Sequence, residues 1–397
     1  MDYFKESVKL HEKLKGKISI SNKMDVATKD DLSLVYSPGV AQPCLEIQKD
    51  PEKAYEMTMK GNSVAVVSDG TAVLGLGNIS ALASIPVMEG KAMLFKKFAG
   101  IDAIPICLDT EDPDEIIRTV KLMSPNFGGV NLEDISAPRC FQIERALQDI
   151  GIPVMHDDQH GTAIVVLAGL LNAAKVLGKE MVDLKIVING AGAAGNAIAR
   201  LLNCISMDPT KCDPVKSIIV CDSKGIISKE RDNLNDSKKE ILSFTNRSNI
   251  SGSLQDALKG ADVFIGVSVG NLIDSNDVNT MADDAIIFAL ANPTPEIMPD
   301  EARKGGAAII ATGRSDFDNQ VNNVLAFPGI FKGALQARAP RISATMKLAA
   351  AHAIADCVEN PSKEMIIPSP LDMSVAGKVA EEVAKASMIP DHGHTPN

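Results

Sequence analysis

The string KIVINGAGAAGNAIAR, beginning at Lys185, constrains this 397-residue chain more than any other. Gly190, Gly192 and Gly195 fit G-x-G-x-x-G, with Ala193 and Ala194 between the last two glycines. A β-rich apolar run precedes the motif and a helix-forming run with Ala197, Ile198 and Ala199 follows it. In that context each glycine has a mechanical task. Gly190 permits the tight turn, Gly192 lets backbone approach a pyrophosphate, and Gly195 lets the helix pack close on the strand. The helix N-terminus offers free N–H groups and a positive dipole end to phosphates. A second strand, SIIVCD, ends at Asp222, where an acid accepts both ribose hydroxyls of NAD. Asp222 lies 27 residues after Gly195, and the loop MDPTKCDP absorbs the excess over the usual spacing of about 20. Its charge would repel a 2′-phosphate and favours NAD, while Lys224 nearby leaves NADP possible.

Strand-like and helix-like runs alternate through the rest, which is the pattern of an α/β protein with mostly parallel strands. Strands are expected at Val64–Ser68, Ala103–Leu108, Gly129–Leu132 and Pro153–His156. Helices are expected at 85–98, 113–123 and 138–149, and residues 1–20 read as an amphipathic helix. A buried helix over 162–177 opens the second half. Strands follow at 184–188, 217–221, 263–267, 286–290 and 308–311, and two helices after Pro340. The polar stretch 227–250 reads as an exposed excursion. The fold expected is two α/β domains, 1–160 for substrate and metal and 161–397 as a Rossmann-type doubly wound parallel sheet, with the active site in the cleft between them.

Two acidic pairs close adjacent strands of the first half: Glu133 and Asp134 in GGVNLEDI, Asp157 and Asp158 in PVMHDDQHG. One strand–helix–strand unit joins them, so both sit at the same sheet edge, where ligands of open α/β sheets gather. Neighbours on a strand face opposite sides, so Glu133 and Asp134 converge only if the chain leaves strand geometry there. Clustered carboxylates repel unless a cation or proton sits among them, and all-oxygen ligands suit Mg²⁺ or Mn²⁺. His156 and His160 read as packed or hydrogen-bonded side chains.

Composition closes off other classes. A net charge of −11 argues against a nucleic-acid partner, and an anionic substrate then needs local cations, a metal or a helix N-terminus. The longest apolar stretch, Gly161 to Ala174, falls short of the ~20 residues of a membrane span. No apolar signal segment opens the chain, so a cytoplasmic, membrane-free protein is expected. The seven cysteines are odd in number and lack C-x-x-C spacing, which reads as reduced thiols.

Eight strings in order, YSPGVA (Tyr36 to Ala41), VLGLGN, EGKAMLFKKFAGID, NLEDI, HDDQHGTA, GAGAAG, ANPTPE and NNVLAFPG, span nearly the whole chain. Together they resemble the malic enzymes in their short form, without the acetyltransferase-like extension of some bacterial members. The resemblance implies oxidative decarboxylation of L-malate to pyruvate and CO₂ with NAD(P)⁺ and Mg²⁺ or Mn²⁺, by a homodimer or dimer of dimers. It implies Tyr36 as general acid, Lys91 as general base with Asp157 beside it, and Glu133, Asp134 and Asp158 as metal ligands. Asn292 and Asn323 become substrate-binding amides near the nicotinamide. Long malic enzymes carry a carboxylate-binding arginine where this chain has Ala72. Two alternatives stand beside this reading: a malolactic-type decarboxylase with tightly held NAD, and a non-catalytic dinucleotide sensor.

Overall fold

The computed structural model describes residues 2–73, 75–207 and 212–389. Leu74 of the VLGLGN string and residues 208–211 of the MDPTKCDP loop lie outside them. Three helices come first, α1 (Tyr3–Leu14), α2 (Lys29–Val35) and α3 (Ala41–Lys49), then the single turn α4 (Ala54–Met57). The expected N-terminal amphipathic helix is present as α1, yet none of its residues is buried.

The first sheet has four parallel strands in the order β2-β1-β3-β4: β1 (Ser63–Ser68), β2 (Asp102–Cys107), β3 (Gly129–Leu132) and β4 (Val154–His156). Its crossovers are α5 (Ser80–Ala99), α6 (Pro113–Met123) and α7 (Arg139–Ala146). All six residues of β1 are buried, as its continuous apolar run requires of a strand covered on both faces.

The second sheet follows α8 (Asp157–Leu177). Its strands are β5 (Lys185–Asn189), β6 (Ser217–Asp222), β7 (Gly225–Ile226), β8 (Val263–Gly266), β9 (Ile286–Ala289) and β10 (Ile309–Thr312), ordered β10-β9-β8-β5-β6-β7. All pairs are parallel except the β6–β7 hairpin. The order turns back on either side of β5, so the sheet is doubly wound and its switch point lies where the glycine motif leaves β5. Its helices are α9 (Ala193–Leu202), α10 (Asp236–Phe244), the short α11 (Leu254–Leu258), α12 (Ser275–Asn279) and α13 (Pro299–Lys304), and then α14 (Phe327–Gln336), α15 (Ala344–Ala355) and α16 (Val375–Ser387).

Three expectations need correction. The buried helix starts at Asp157, five residues earlier than its apolar pattern: acids in a first turn face the positive helix end and are stabilised there. With 21 residues α8 is long and apolar enough to span a membrane, but 67% of its apolar window is buried inside the protein. The stretch 227–250 is not simply exposed, because Ile227, Ser228, Ile241, Thr245 and Asn246 are buried. Nor are all seven cysteines free. A reversal after α9 brings the Cα atoms of Cys204 and Cys212 to 5.8 Å, and the two are disulfide-bonded.

One apolar core runs through both sheets. It joins Val64, Val66 and Phe95 of the first unit to Ile186, Ile188, Val263 and Ile265 of the second, through α8, α14, α15 and α16. Phe95 on α5 packs its ring against Phe327 at 4.7 Å and Phe331 at 5.5 Å, both on α14.

Candidate active site

The C-terminal edge of the first sheet collects the expected acids. β3 ends at Leu132, and Asp134 takes a left-handed φ of 53°. That departure from strand geometry turns Glu133 and Asp134 to one side, as convergence requires. The Asp134 backbone N–H donates to Asp158 Oδ2 at 2.8 Å. Glu133, Asp134 and Asp158 each offer an oxygen within 4.8 Å of the others. Asn131 steadies Glu133 by donating from Nδ2 to Oε2 at 2.7 Å. It sits two residues earlier on the same face of β3, a spacing that could have revealed it.

Lys91 comes to this cluster from the middle of α5. Its Nζ lies 2.5 Å from Asp157 Oδ2 and 2.9 Å from Glu133 Oε1, and 4.0 Å from the centre of the Phe327 ring. Asn323 Nδ2 donates to the same Asp157 oxygen at 2.5 Å. Asp157 is 0% exposed, and its Oδ1 makes no hydrogen bond among the described residues. The space beside that oxygen exists because residue 161 is glycine: a Cβ there would lie 1.9 Å from Asp157 Oδ1.

Burial pushes the carboxyls upward, and their mutual repulsion adds to it. Asp134 rises to about 9 and Glu133 to about 7. Burial and then Asp157 raise Asp158 to about 6. Burial alone would lower Lys91, but Asp157 and Glu133 outweigh it and hold the ammonium well above its ordinary value. The balance that sequence left open between a depressed and an elevated lysine therefore falls to the carboxylates in the absence of a cation. Three crowded oxygen donors of like charge, those of Glu133 and Asp134 buried, fit Mg²⁺ or Mn²⁺.

Behind this edge, Glu144 on α7 organises the start of α8. It accepts from the His156 backbone N–H at 3.0 Å, from Gln159 Nε2 at 3.1 Å, and pairs with His160 Nε2 at 2.9 Å. Burial would raise its carboxyl, but His160 beside it prevails and holds it down at about 2. His160 is thus a hydrogen-bonded side chain, as expected. His156 is fully buried beside Asp158, 3.5 Å from Oδ2, and burial lowers its imidazole to about 4.

The glycine turn lines a cleft of about 260 Å³, with Ala137 and Pro138 from the first unit and Ala191, Gly192, Asp222, Asn235, Ser237 and Lys238 from the second. The glycines behave as the motif demands. Gly190 has φ of 126° and would set a Cβ 2.6 Å from Val267 O. A Cβ at Gly195 would fall 1.7 Å from Gly190 O, while Gly192 faces open space. The cradle therefore fits a pyrophosphate: close packing behind, and bare backbone at the helix start in front.

Asp222 stands at the end of β6 as expected, but its surroundings differ. Arg231 grips both its oxygens at 2.8 and 2.9 Å, Lys238 Nζ lies 2.6 Å from Oδ2, and Lys224 contributes its backbone N–H at 2.8 Å. Burial alone would raise this carboxyl, but Arg231 and Lys238 prevail and hold it at about 2. Two cations thus meet one anion, so the local charge does not oppose a 2′-phosphate as Asp222 alone would. Arg231 and Lys238 escaped the sequence reading because they lie 9 and 16 residues downstream in the polar stretch, without periodicity.

Two expected residues stand apart from the carboxylates. Asn292, after β9, donates from Nδ2 to Leu290 O at 3.4 Å. Its own carbonyl oxygen lies 3.4 Å from where a Cβ on Gly75 would be, so it marks the meeting of the two units. Tyr36 caps the C-terminus of α2, is 68% exposed, and its phenol makes no hydrogen bond among the described residues. Within the chain it does not meet Lys91. At Ala72 the N–H donates to Asp134 O at 2.9 Å. The guanidinium beside that loop is Arg139, held by Asp69 Oδ2 at 3.1 Å and Thr71 Oγ1 at 2.9 Å.

Residues 15–148 match the malic enzyme N-terminal domain and residues 159–388 the malic enzyme NAD-binding domain. The chain is 56% identical to a bifunctional malic/malolactic enzyme of Bacillus subtilis, over 98% of its own length and 94% of that protein. It is 53% identical to an NAD-dependent malic enzyme of Geobacillus stearothermophilus, over 94% of this chain and 77% of that one. An NADP-dependent malic enzyme of Escherichia coli is 48% identical over 94% of this chain, which spans 50% of that longer protein. Among solved structures, the NAD-dependent malic enzyme of Thermotoga maritima superposes with a TM-score of 0.91 at 48% identity, covering 95% of this chain and 98% of that one. With both domains matched in order and relatives this similar along its length, the chain belongs to the malic enzyme family.

Proposed function

We propose that this protein oxidatively decarboxylates L-malate to pyruvate and CO₂ with NAD⁺ or NADP⁺ and a divalent cation. The observation that carries the reading is Lys91, buried with Asp157 and Glu133 beside a three-carboxylate edge, in a chain that also carries the glycine cradle. A cation held by Glu133, Asp134 and Asp158 would polarise the substrate's C2 oxygen, and the nicotinamide would accept the hydride from C2. Lys91 removes the hydroxyl proton, and its amine is steered by Asp157, itself fixed by Asn323. For that step Lys91 must be neutral, which its two carboxylate neighbours oppose until Glu133 is engaged elsewhere. After CO₂ leaves, Tyr36 returns a proton to C3. Asn292 and Asn323 orient the substrate where the two units meet.

Asp222 with Arg231 and Lys238 supports use of both dinucleotides. All four accepting positions of the carboxylate are engaged by Arg231, Lys238 and the Lys224 N–H, so Lys238 must yield for a ribose diol and is itself available to a 2′-phosphate. The test is formation of reduced nicotinamide from L-malate and Mn²⁺ with each dinucleotide in turn. Absence of turnover with both overturns the proposal. Lys91→Ala and Tyr36→Phe are expected to lose turnover at least ~100-fold while still binding dinucleotide. The Bacillus subtilis relative, named a malic/malolactic enzyme, favours a second activity. It is read as lactate formed from malate and NAD⁺ with no accumulation of NADH.

A further inference from the structure

One buried acid has no part in the chemistry proposed above. Glu296 ends the string ANPTPE, is fully buried, and lies on the return segment after β9, in the second unit. Burying a carboxylate is costly unless its oxygens are satisfied. Here both are, by backbone from two different loops. Oε1 accepts from the Ser268 N–H at 3.0 Å, just past β8, and Oε2 accepts from the Ala291 N–H at 3.0 Å, just past β9. Burial still pushes the carboxyl above its ordinary value, against the pull of these two N–H groups. Gly266, the last residue of β8, makes the room: a Cβ there would fall 2.3 Å from Glu296 Cδ. Glycine inside a strand marks such a close approach. The main chain of Glu296 completes the grip, because its carbonyl oxygen accepts from the Leu272 N–H at 2.8 Å. Side chain and backbone of one residue thus fix both ends of the segment 268–272.

That segment reaches the glycine cradle. Ser268 Oγ accepts from Asn189 Nδ2 at 2.8 Å, at the end of β5, and the Val267 N–H donates to Asn189 O at 2.9 Å. Val267 O is the atom that a Cβ on Gly190 would strike. A doubly wound sheet binds the two halves of a dinucleotide on either side of its switch point. With the adenosine ribose at Asp222 on β6, the nicotinamide half falls on the other side of β5, toward the ends of β8 and β9. Those are the two ends that Glu296 ties together, and Asn292 follows directly on the Ala291 that it holds. We propose that Glu296 is a positioning residue for the nicotinamide: without touching the ring, it holds the loops after β8 and β9 at the separation that seats it. A carboxylate suits the task because it accepts on both oxygens, whereas a glutamine would turn an NH₂ group toward one of the two N–H groups. The inference rests on the dinucleotide of the reaction proposed above, and not on malate as its substrate.

The probes are NADH and ADP-ribose, which lacks the nicotinamide and keeps the rest of the dinucleotide. In Glu296→Gln the dissociation constant of NADH, read from its own fluorescence, is expected to rise about tenfold, while that of ADP-ribose, read by calorimetry, stays within about twofold of wild type. Equal weakening of both ligands shows a merely structural role and overturns the proposal, as does unchanged NADH binding. A second measurement uses wild-type protein and so does not depend on the variant folding. Hydrogen exchange in the peptides that contain Ser268 and Ala291 is expected to slow at least about fivefold more under saturating NADH than under saturating ADP-ribose. Equal protection by the two ligands overturns the proposal. Wild-type protein that binds NADH yet turns over no malate counts against the proposed function alone, because neither measurement needs turnover.

Discussion

The carboxylates at the sheet edge set a pH dependence whose sign can be worked out. Asp134 and Glu133 are raised above their unfolded values, to about 9 and about 7. The folded state therefore binds more protons than the unfolded chain between those limits, and stability is lost as pH rises from about 4 toward 9. A divalent cation bound by these acids would replace the protons. Titration of metal-free protein with Mg²⁺ or Mn²⁺ in weak buffer is expected to release protons, and the rise in melting temperature on adding the cation is expected to grow between pH 6 and pH 9. A thermal shift independent of pH would remove Glu133 and Asp134 from the ligand set. At the dinucleotide end, Lys238→Ala deletes one charge-assisted hydrogen bond, worth about 1.5–3 kcal/mol. KM for NADP⁺ is expected to rise ten- to a hundredfold while KM for NAD⁺ holds or falls, which steady-state kinetics with both dinucleotides checks. The anions at these two places were legible in the sequence because they close strands. Their cations were not: Arg231 and Lys238 approach through a loop whose path no local pattern records.

Elements position these residues through close approaches that tolerate no added atoms. Gly161→Ala would drive a methyl group into Asp157 Oδ1 and displace the carboxylate that holds Lys91. A cost of about 1–3 kcal/mol in denaturant unfolding is expected, with a disproportionate fall in kcat. Equal effects of Gly161→Ala and of Gly377→Ala, an exposed glycine of α16 with open space around it, would remove that explanation. Glu144 is the anchor of α8: its carboxylate binds the chain just before the helix and two side chains of its first turns. Glu144→Ala leaves those donors buried without an acceptor, so a loss of about 3–5 kcal/mol is expected in equilibrium unfolding. Strand positions were readable to within a residue or two because buried parallel strands are short continuous apolar runs, as in Val64–Ser68 and Val263–Gly266. The start of α8 was not, since Asp157, Asp158, Gln159 and His160 are polar by composition and helical only because Glu144 and the helix dipole receive them.

At the scale of the molecule, one face of each sheet packs into a shared core, and the other face of each has an apolar cluster of its own. Division at residue 160 describes the sheets well, but it hides that α14 and α16 fold back onto α5 of the first unit. That return depends on side chains nearly 300 residues apart and leaves no periodic trace in the sequence. The fit is close, since a Cβ on Gly333 of α14 would lie 2.4 Å from Ala380 O of α16. One cooperative calorimetric transition is therefore expected for both sheets, and Gly333→Val is expected to lower its midpoint without splitting it. Two resolved transitions would show that the sheets unfold independently.

The placement of the acids on either side of the Gly151 turn has a practical consequence. That turn is exposed and precedes β4, so a chain cut there divides the proposed ligand set between two fragments. One fragment carries β3 with Glu133 and Asp134 just beyond its end; the other begins with β4, Asp157 and Asp158. Neither is expected to catalyse alone, and the pairing of β3 with β4 is expected to restore the site. Split at that turn, the protein would serve as a reporter whose enzymatic signal registers the association of whatever two partners were fused to its halves.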